Sequence, residues 1–293
     1  MTPFSILLIL ISALIHSSWN FFTKKGNWPM EFFFWVFLWG VLLYLPFFIA
    51  FGVFPSFILQ FTPKLWAIVI CSGFLQTFYF LSLVEAYRGG DFSFIYPISR
   101  SAPLFAQIWA ISFIGEVLSR RGVVGIGLVI VGLFVISLKD FHLKPMISSS
   151  NRFTSRPYLL ALIAAITGSI YSVIDKVGVQ LLHPVFYICS LNFWVTVFMG
   201  LYLSFQEKVY FLKVWQESKK EIIIITILQN VAYLLVLLAL QTSKVSYVVA
   251  FRQVGALFGA VMGVIFLKES QWKTRITGAM ILTLGLVLIG LAN

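Results

Sequence analysis

Apolar stretches long enough to cross a hydrocarbon layer recur from one end of this chain to the other, and that recurrence limits the fold more than any other feature. A membrane-spanning helix needs about 20 mostly apolar residues. Windows of that kind fall at roughly 4–23, 30–51, 64–86, 92–114, 121–138, 158–179, 184–204, 220–241, 245–267 and 274–291, so about ten spans are expected. They leave almost no sequence for an aqueous domain. Composition agrees: of 293 residues, 60% are hydrophobic and 11% charged, and the mean hydropathy is +0.97, more apolar surface than a soluble core absorbs. In hydrocarbon a helix satisfies its own backbone groups, and the windows lack the short alternation of an outer-membrane barrel. The expected fold class is an all-α integral membrane protein. The first window has no basic leader and no small-residue cleavage pattern, so it reads as a retained helix rather than a signal peptide.

The chain also repeats itself. Shifted by 153 residues, LQTFYFLSLVEA from Leu75 falls on LQNVAYLLVLLA from Leu228 without a gap. The register continues through Ser93 on Ser246, Glu116 on Glu269, Gly125 on Gly278 and Gly132 on Gly285. At a shift of 152, Trp19 meets Tyr171, Lys24 meets Lys176 and Gly26 meets Gly178. Each half therefore supplies five spans, residues 1–138 and 158–293, joined by a polar, Ser-rich linker over 139–157. An odd number of spans makes the second copy enter the membrane from the opposite side, which gives inverted repeats, an architecture associated with alternating access. The competing reading is an old duplication kept only as scaffold.

The run GDFSFIYPISRSAP, Gly90 to Pro103, followed by Gly115, Glu116 and Leu118, resembles the first-half signature of the EamA branch of the drug/metabolite transporter superfamily. Glu269 repeats the glutamate in the second half. The opening HSSWNFFTKKG, His16 to Gly26, is similar to a branch with a His, a Trp-Asn pair and a Lys in the first helix, some members of which are named for phosphonate utilisation. The resemblance covers essentially the whole chain. It implies a ten-span transporter in a bacterial inner membrane, with no cofactor. Ala250 and Ala256 stand where the first half has Pro97 and Pro103, so the two halves are expected to bend differently.

Ionisable groups inside a bilayer cost at least about 2.5 to 3.5 kcal/mol at a helix centre and ask for a reason. Arg100 and Arg252 lie in the fourth span of each half, some 10 to 12 Å deep at about 1.5 Å per residue. A guanidinium holds a carboxylate or phosphate through two parallel hydrogen bonds, so an anion or zwitterion is the natural partner. The alternative is structural pairing with a carboxylate such as Glu85 or Asp175, or with backbone carbonyls. In the fourth span Ser93, Tyr96, Arg100, Pro103 and Gln107 recur at helical spacing and should share one face. His16, Asn20 and Lys24 do so in the first span, with Trp19 beside them. Gln76 and Tyr79, Tyr171 and Asp175, and Gln229 and Tyr233 complete the expected lining of a substrate cavity, although any one of them also suits interhelical packing. Protonation of His16 would couple proton movement to transport, the alternative being a lone His bonded to a neighbouring helix. Gly255, Gly259, Gly263, Gly278 and Gly285 suit close helix packing.

Other functions fit less well. Cys71 and Cys189 both lie within spans, and with only three His the chain offers no metal-ligand spacing. No HExxH, no paired acids at helical spacing and no Walker loop are present, which argues against an enzyme and for secondary transport. A channel or a structural membrane protein is the remaining rival. The net charge of +11 is scattered over short loops and helix ends, so it points to anionic lipid rather than nucleic acid. The expected partners are a small-molecule substrate, protons and the lipid bilayer, with the chain acting as a monomer or homodimer. If loops alternate, five basic residues lie on the side of the termini (Lys64, Arg120, Arg121, Lys176, Lys244) and fourteen on the other, Arg100 and Arg252 completing the 21. Positive charge marks the cytoplasmic side, so external termini are expected, whereas the resemblance implies internal ones.

Overall fold

The computed structural model describes residues 1–25, 28–50, 62–89, 92–137, 156–206, 209–258 and 272–292, and these are helical with no strand. In chain order the helices are α1 (Pro3–Lys25), α2 (Met30–Ala50), α3 (Pro63–Gly89), α4 (Phe92–Ser99), α5 (Ala102–Ile114), α6 (Arg120–Ser137), α7 (Arg156–Leu181), α8 (Pro184–Ser204), α9 (Phe211–Thr242), α10 (Val245–Phe251) and α11 (Trp272–Gly290). Residues 254–258 are also helical. Six of them, α3, α6, α7, α8, α9 and α11, carry a segment long and apolar enough to cross a membrane, with shorter apolar segments at Pro3–His16, Met30–Pro46 and Val245–Phe258. Ile108 and Ile111 of α5, Val124 and Val131 of α6, and Met280 and Leu284 of α11 are exposed, an outer surface suited to lipid rather than water.

Two helices extend past their apolar windows. α9 starts at Phe211 and kinks at Ser218, where φ is −130° and ψ 20°. Hydropathy hides this first part because Lys213, Glu217, Lys219, Lys220 and Glu221 crowd it, yet the i,i+4 pair of Lys213 and Glu217 suits a helix. α7 starts at Arg156, two residues inside the segment read as linker; residues 139–155 of that segment lie outside the described residues.

The two halves pack as a pseudo-two-fold pair. α1 runs along α9 while its counterpart α7 runs along α3, the counterpart of α9. α2 meets α8, and α6 meets α11, each helix against its own repeat equivalent. The glycines show the relation most directly. A Cβ on Gly125 would stand 2.8 Å from the carbonyl oxygen of Gly285, and one on Gly132 would stand 2.8 Å from that of Gly278. Gly125 is equivalent to Gly278 and Gly132 to Gly285, so each contact is the mirror of the other, as a two-fold operation requires. The reversed order also makes α6 and α11 antiparallel. Bare glycine lets the two backbones touch where any side chain would hold them apart, which fits the packing role expected for Gly278 and Gly285. Gly259 and Gly263 lie outside the described residues.

Each fourth span is broken. In the first half the break is Arg100–Ser101, between α4 and α5. Pro103 has no N–H to return to the carbonyl of Ser99. The chain turns instead through i−3 bonds from the N–H of Ser101 to Ile98 O (3.1 Å) and from that of Leu104 to Ser101 O (2.9 Å). The hydroxyls of Ser99 and Ser101 also donate to Tyr96 O and Ile98 O, at 2.9 and 2.7 Å. In the second half the break is Arg252–Gln253, without proline. The N–H groups of Gln253, Gly255 and Ala256 donate to Ala250 O, Arg252 O and Gln253 O at 3.1, 3.2 and 2.9 Å, a run of i−3 bonds that tightens the backbone. Only the first half carries the prolines, but both halves are broken. They break at the same level, and an arginine opens each break.

Candidate functional site

The breaks decide what the fourth spans present. Arg100 follows the last turn of α4 and Arg252 that of α10, the C-terminal helix ends at which a cation is favoured. Each also stands over a tyrosine face: Arg100 over Tyr96, with Cζ 5.3 Å from the ring centroid, and Arg252 over Tyr233, at 5.7 Å. Among the described residues neither guanidinium has a carboxylate within 4.0 Å; the pairs at that distance are Arg88 with Glu85 and Lys213 with Glu217. Glu85, one acid considered for structural pairing, is thus engaged at the surface.

Asp175, the other, is wholly buried and held by four donors from three helices. Ser72 and Tyr187 donate to Oδ1, the latter at 2.8 Å, while Gln76 (3.3 Å) and Tyr233 donate to Oδ2. An ionised carboxylate only accepts, so this set suits it without a cation. Gln76 and Tyr233 have a second face. Both border a cavity of about 130 Å³ between α1, α2, α3, α7, α8, α9 and the two breaks. Tyr233 carries Arg252 on its ring and holds Asp175 through its hydroxyl.

Of the residues expected to line a substrate cavity, His16, Gln76, Tyr79, Arg100, Tyr171, Gln229, Tyr233 and Arg252 stand together in this wall. Tyr96 and Asp175 do not border it; Tyr96 lies under Arg100 and Asp175 lies behind Gln76 and Tyr233. The side chains of Trp19, Asn20, Lys24 and Ser93 lie outside the described residues. The single face expected for the fourth span does not exist as such, because the break separates Tyr96 and Arg100 from Pro103 and Gln107. Lys176, the partner of Lys24 in the repeat, donates from Nζ to Leu240 O (2.6 Å) and Ser243 O (3.1 Å), closing the end of α9.

Other wall residues were missed. Asn192 and Asn230 bond to each other at 2.7 Å, and Asn230 returns a bond to Thr226 O at 2.9 Å. Gly40 makes room for them, since a Cβ there would lie 2.8 Å from Asn192 Nδ2. Two amides deep in apolar spans were a usable signal. Ser12 and Tyr87 were weaker ones, the former donating to Ala232 O at 2.7 Å. Phe37, Phe80, Leu83, Ile188 and Leu191 gave none, because an apolar side chain facing a cavity reads like one facing lipid.

Comparisons with known proteins bear on the whole chain. No curated protein matches it. A solved structure named "Crystal structure of protein" superposes with a TM-score of 0.77, covering 98% of this chain and 97% of that chain at 15% sequence identity, which establishes a shared fold and no more. The family model described as the EamA-like transporter family matches residues 3–138 and 155–291.

Proposed function

The chain belongs to the EamA-like transporter family, whose members are membrane transporters of the drug/metabolite type, and from that premise we propose that it is a secondary transporter carrying a small anionic or zwitterionic metabolite by alternating access. In this reading ten spans form two inverted five-helix repeats in a bacterial inner membrane, and the solute binds where the broken fourth spans meet. Arg100 and Arg252 hold its anionic group. His16, Gln76, Tyr79, Tyr171, Gln229 and Tyr233 shape the rest of the site, with Tyr96 and Asp175 supporting from behind. Phosphonates belong among the candidate solutes on the resemblance of the opening segment.

One observation carries the reading: each repeat places a guanidinium at the break of its fourth span, in the wall of one shared cavity, with no carboxylate within 4.0 Å among the described residues. A half-buried cation so placed, in the wall of a cavity, has a free anion as its complement. The test is a screen of small anions, zwitterions and cations for thermal stabilisation of the purified protein, repeated with Arg100→Leu and Arg252→Leu. Anionic or zwitterionic solutes should stabilise the wild type and neither variant. Stabilisation by cations alone, or equal stabilisation of the variants, contradicts the proposal.

A further inference from the structure

Charge in and behind the cavity wall constrains the solute further, given the anion-binding reading above. Among the described residues, the charged groups are Arg100 and Arg252 in the wall and Asp175 behind it. Asp175 accepts from the phenols Tyr187 of α8 and Tyr233 of α9 and from Ser72 and Gln76 of α3, while Tyr171 on its own helix and Arg252 act on it electrostatically. His16 of α1 shares the wall, and above neutral pH an imidazole is mostly uncharged. Two guanidiniums and one carboxylate leave a single positive charge. In a medium of low dielectric, an uncompensated charge is what closing the cavity around a solute must avoid.

We propose that Asp175 sets the charge of the solute and makes it a singly charged anion. The carboxylate reaches the cavity through Tyr233, whose hydroxyl it accepts from and whose ring lies under Arg252. A monoanion on the guanidiniums closes the balance; a dianion leaves one negative charge in excess, and a zwitterion leaves the positive charge unanswered. Size narrows the class again. A cavity of 130 Å³ is slightly smaller than one of about 150 Å³ that admits benzene, so the solute has on the order of six non-hydrogen atoms. A short monocarboxylate fits both limits.

The test compares butyrate, succinate and 4-aminobutyrate, which share a four-carbon backbone and differ in net charge, by thermal stabilisation of the purified full chain at mildly alkaline pH and constant ionic strength. Wild-type protein should favour butyrate over succinate by about tenfold or more. Asp175→Asn should reverse that order. Its carbonyl keeps the bonds from Ser72 and Tyr187, and its amide faces a phenol and a carboxamide that can both accept, so the fold is retained. Succinate or 4-aminobutyrate as the best wild-type ligand overturns the inference, as does an Asp175→Asn variant that weakens all three solutes equally. Either result leaves the anion reading standing. No stabilisation of the wild type by any of the three overturns the inference and leaves the anion reading to the wider solute screen. If Asp175→Asn does not fold, the wild-type order decides alone.

Discussion

At the scale of single residues the account rests on Arg100 and Arg252. A hydrogen bond to a charged group contributes about 1.5–3 kcal/mol, so Arg100→Leu or Arg252→Leu should weaken solute binding by roughly tenfold to a hundredfold each. Because no carboxylate pairs with either among the described residues, both variants should keep near-wild-type thermal stability without ligand. A large loss of stability instead would assign the arginines to structure. Asp175 predicts the opposite pattern. Asp175→Ala leaves Ser72, Gln76, Tyr187 and Tyr233 without their shared acceptor, and at about 1–3 kcal/mol per stranded polar group it should sharply lower the yield of folded protein in a detergent melting assay. The arginines were legible in the sequence because charge in a span is expensive. The role of Asp175 was not, since its four donors come from helices far apart along the chain and only packing brings them to one carboxylate.

At the scale of elements, two devices hold the broken spans and the repeat contact. The Glu116 carboxylate accepts from Val245 N (2.6 Å) and from Ser246 N and Oγ (3.3 and 2.7 Å), capping α10 with a residue of the other repeat. Glu116→Ala should cost about 1–2 kcal/mol and Glu116→Gln less, measured as melting temperature, with the greater effect on transport because α10 leads into the Arg252 break. The sequence marks Glu116 through its repeat partner Glu269 but does not say which helix it caps. At the α6–α11 contact, Gly132→Leu should prevent folding, because even its Cβ would lie 2.6 Å from the backbone nitrogen of Leu282. Gly127→Leu is the control: a Cβ there meets nothing within 4 Å, and expression should be unchanged. Helix positions were legible from hydropathy, and the prolines marked the first break. The second break carries no proline, and its i−3 turns run through Gln253, Gly255 and Ala256, where Gly255 is a weaker mark.

At the scale of the whole molecule the duplicated sequence was the most informative signal, because matched Gln, Glu and Gly positions define equivalent helices before any contact is known. The crosswise glycine contacts then relate those helices by a two-fold operation. Orientation in the membrane follows from charge: with fourteen basic residues on the linker side and five on the side of the termini, both termini should lie outside the cytoplasm. A dual reporter fused at Asn293 should be active only on the external side, and a cytoplasmic signal would show that the rule fails for this chain. The central claim, that the two halves form a carrier around one anion-holding cavity, is tested most directly by counterflow. Proteoliposomes are loaded with an excess of an unlabelled solute that stabilises the protein, and the same labelled solute is added outside. The account predicts a transient, saturable accumulation of label above its external concentration, absent from the Arg100→Leu, Arg252→Leu double variant. Label that equilibrates without overshoot and without saturation, or an overshoot retained by that variant, would contradict it.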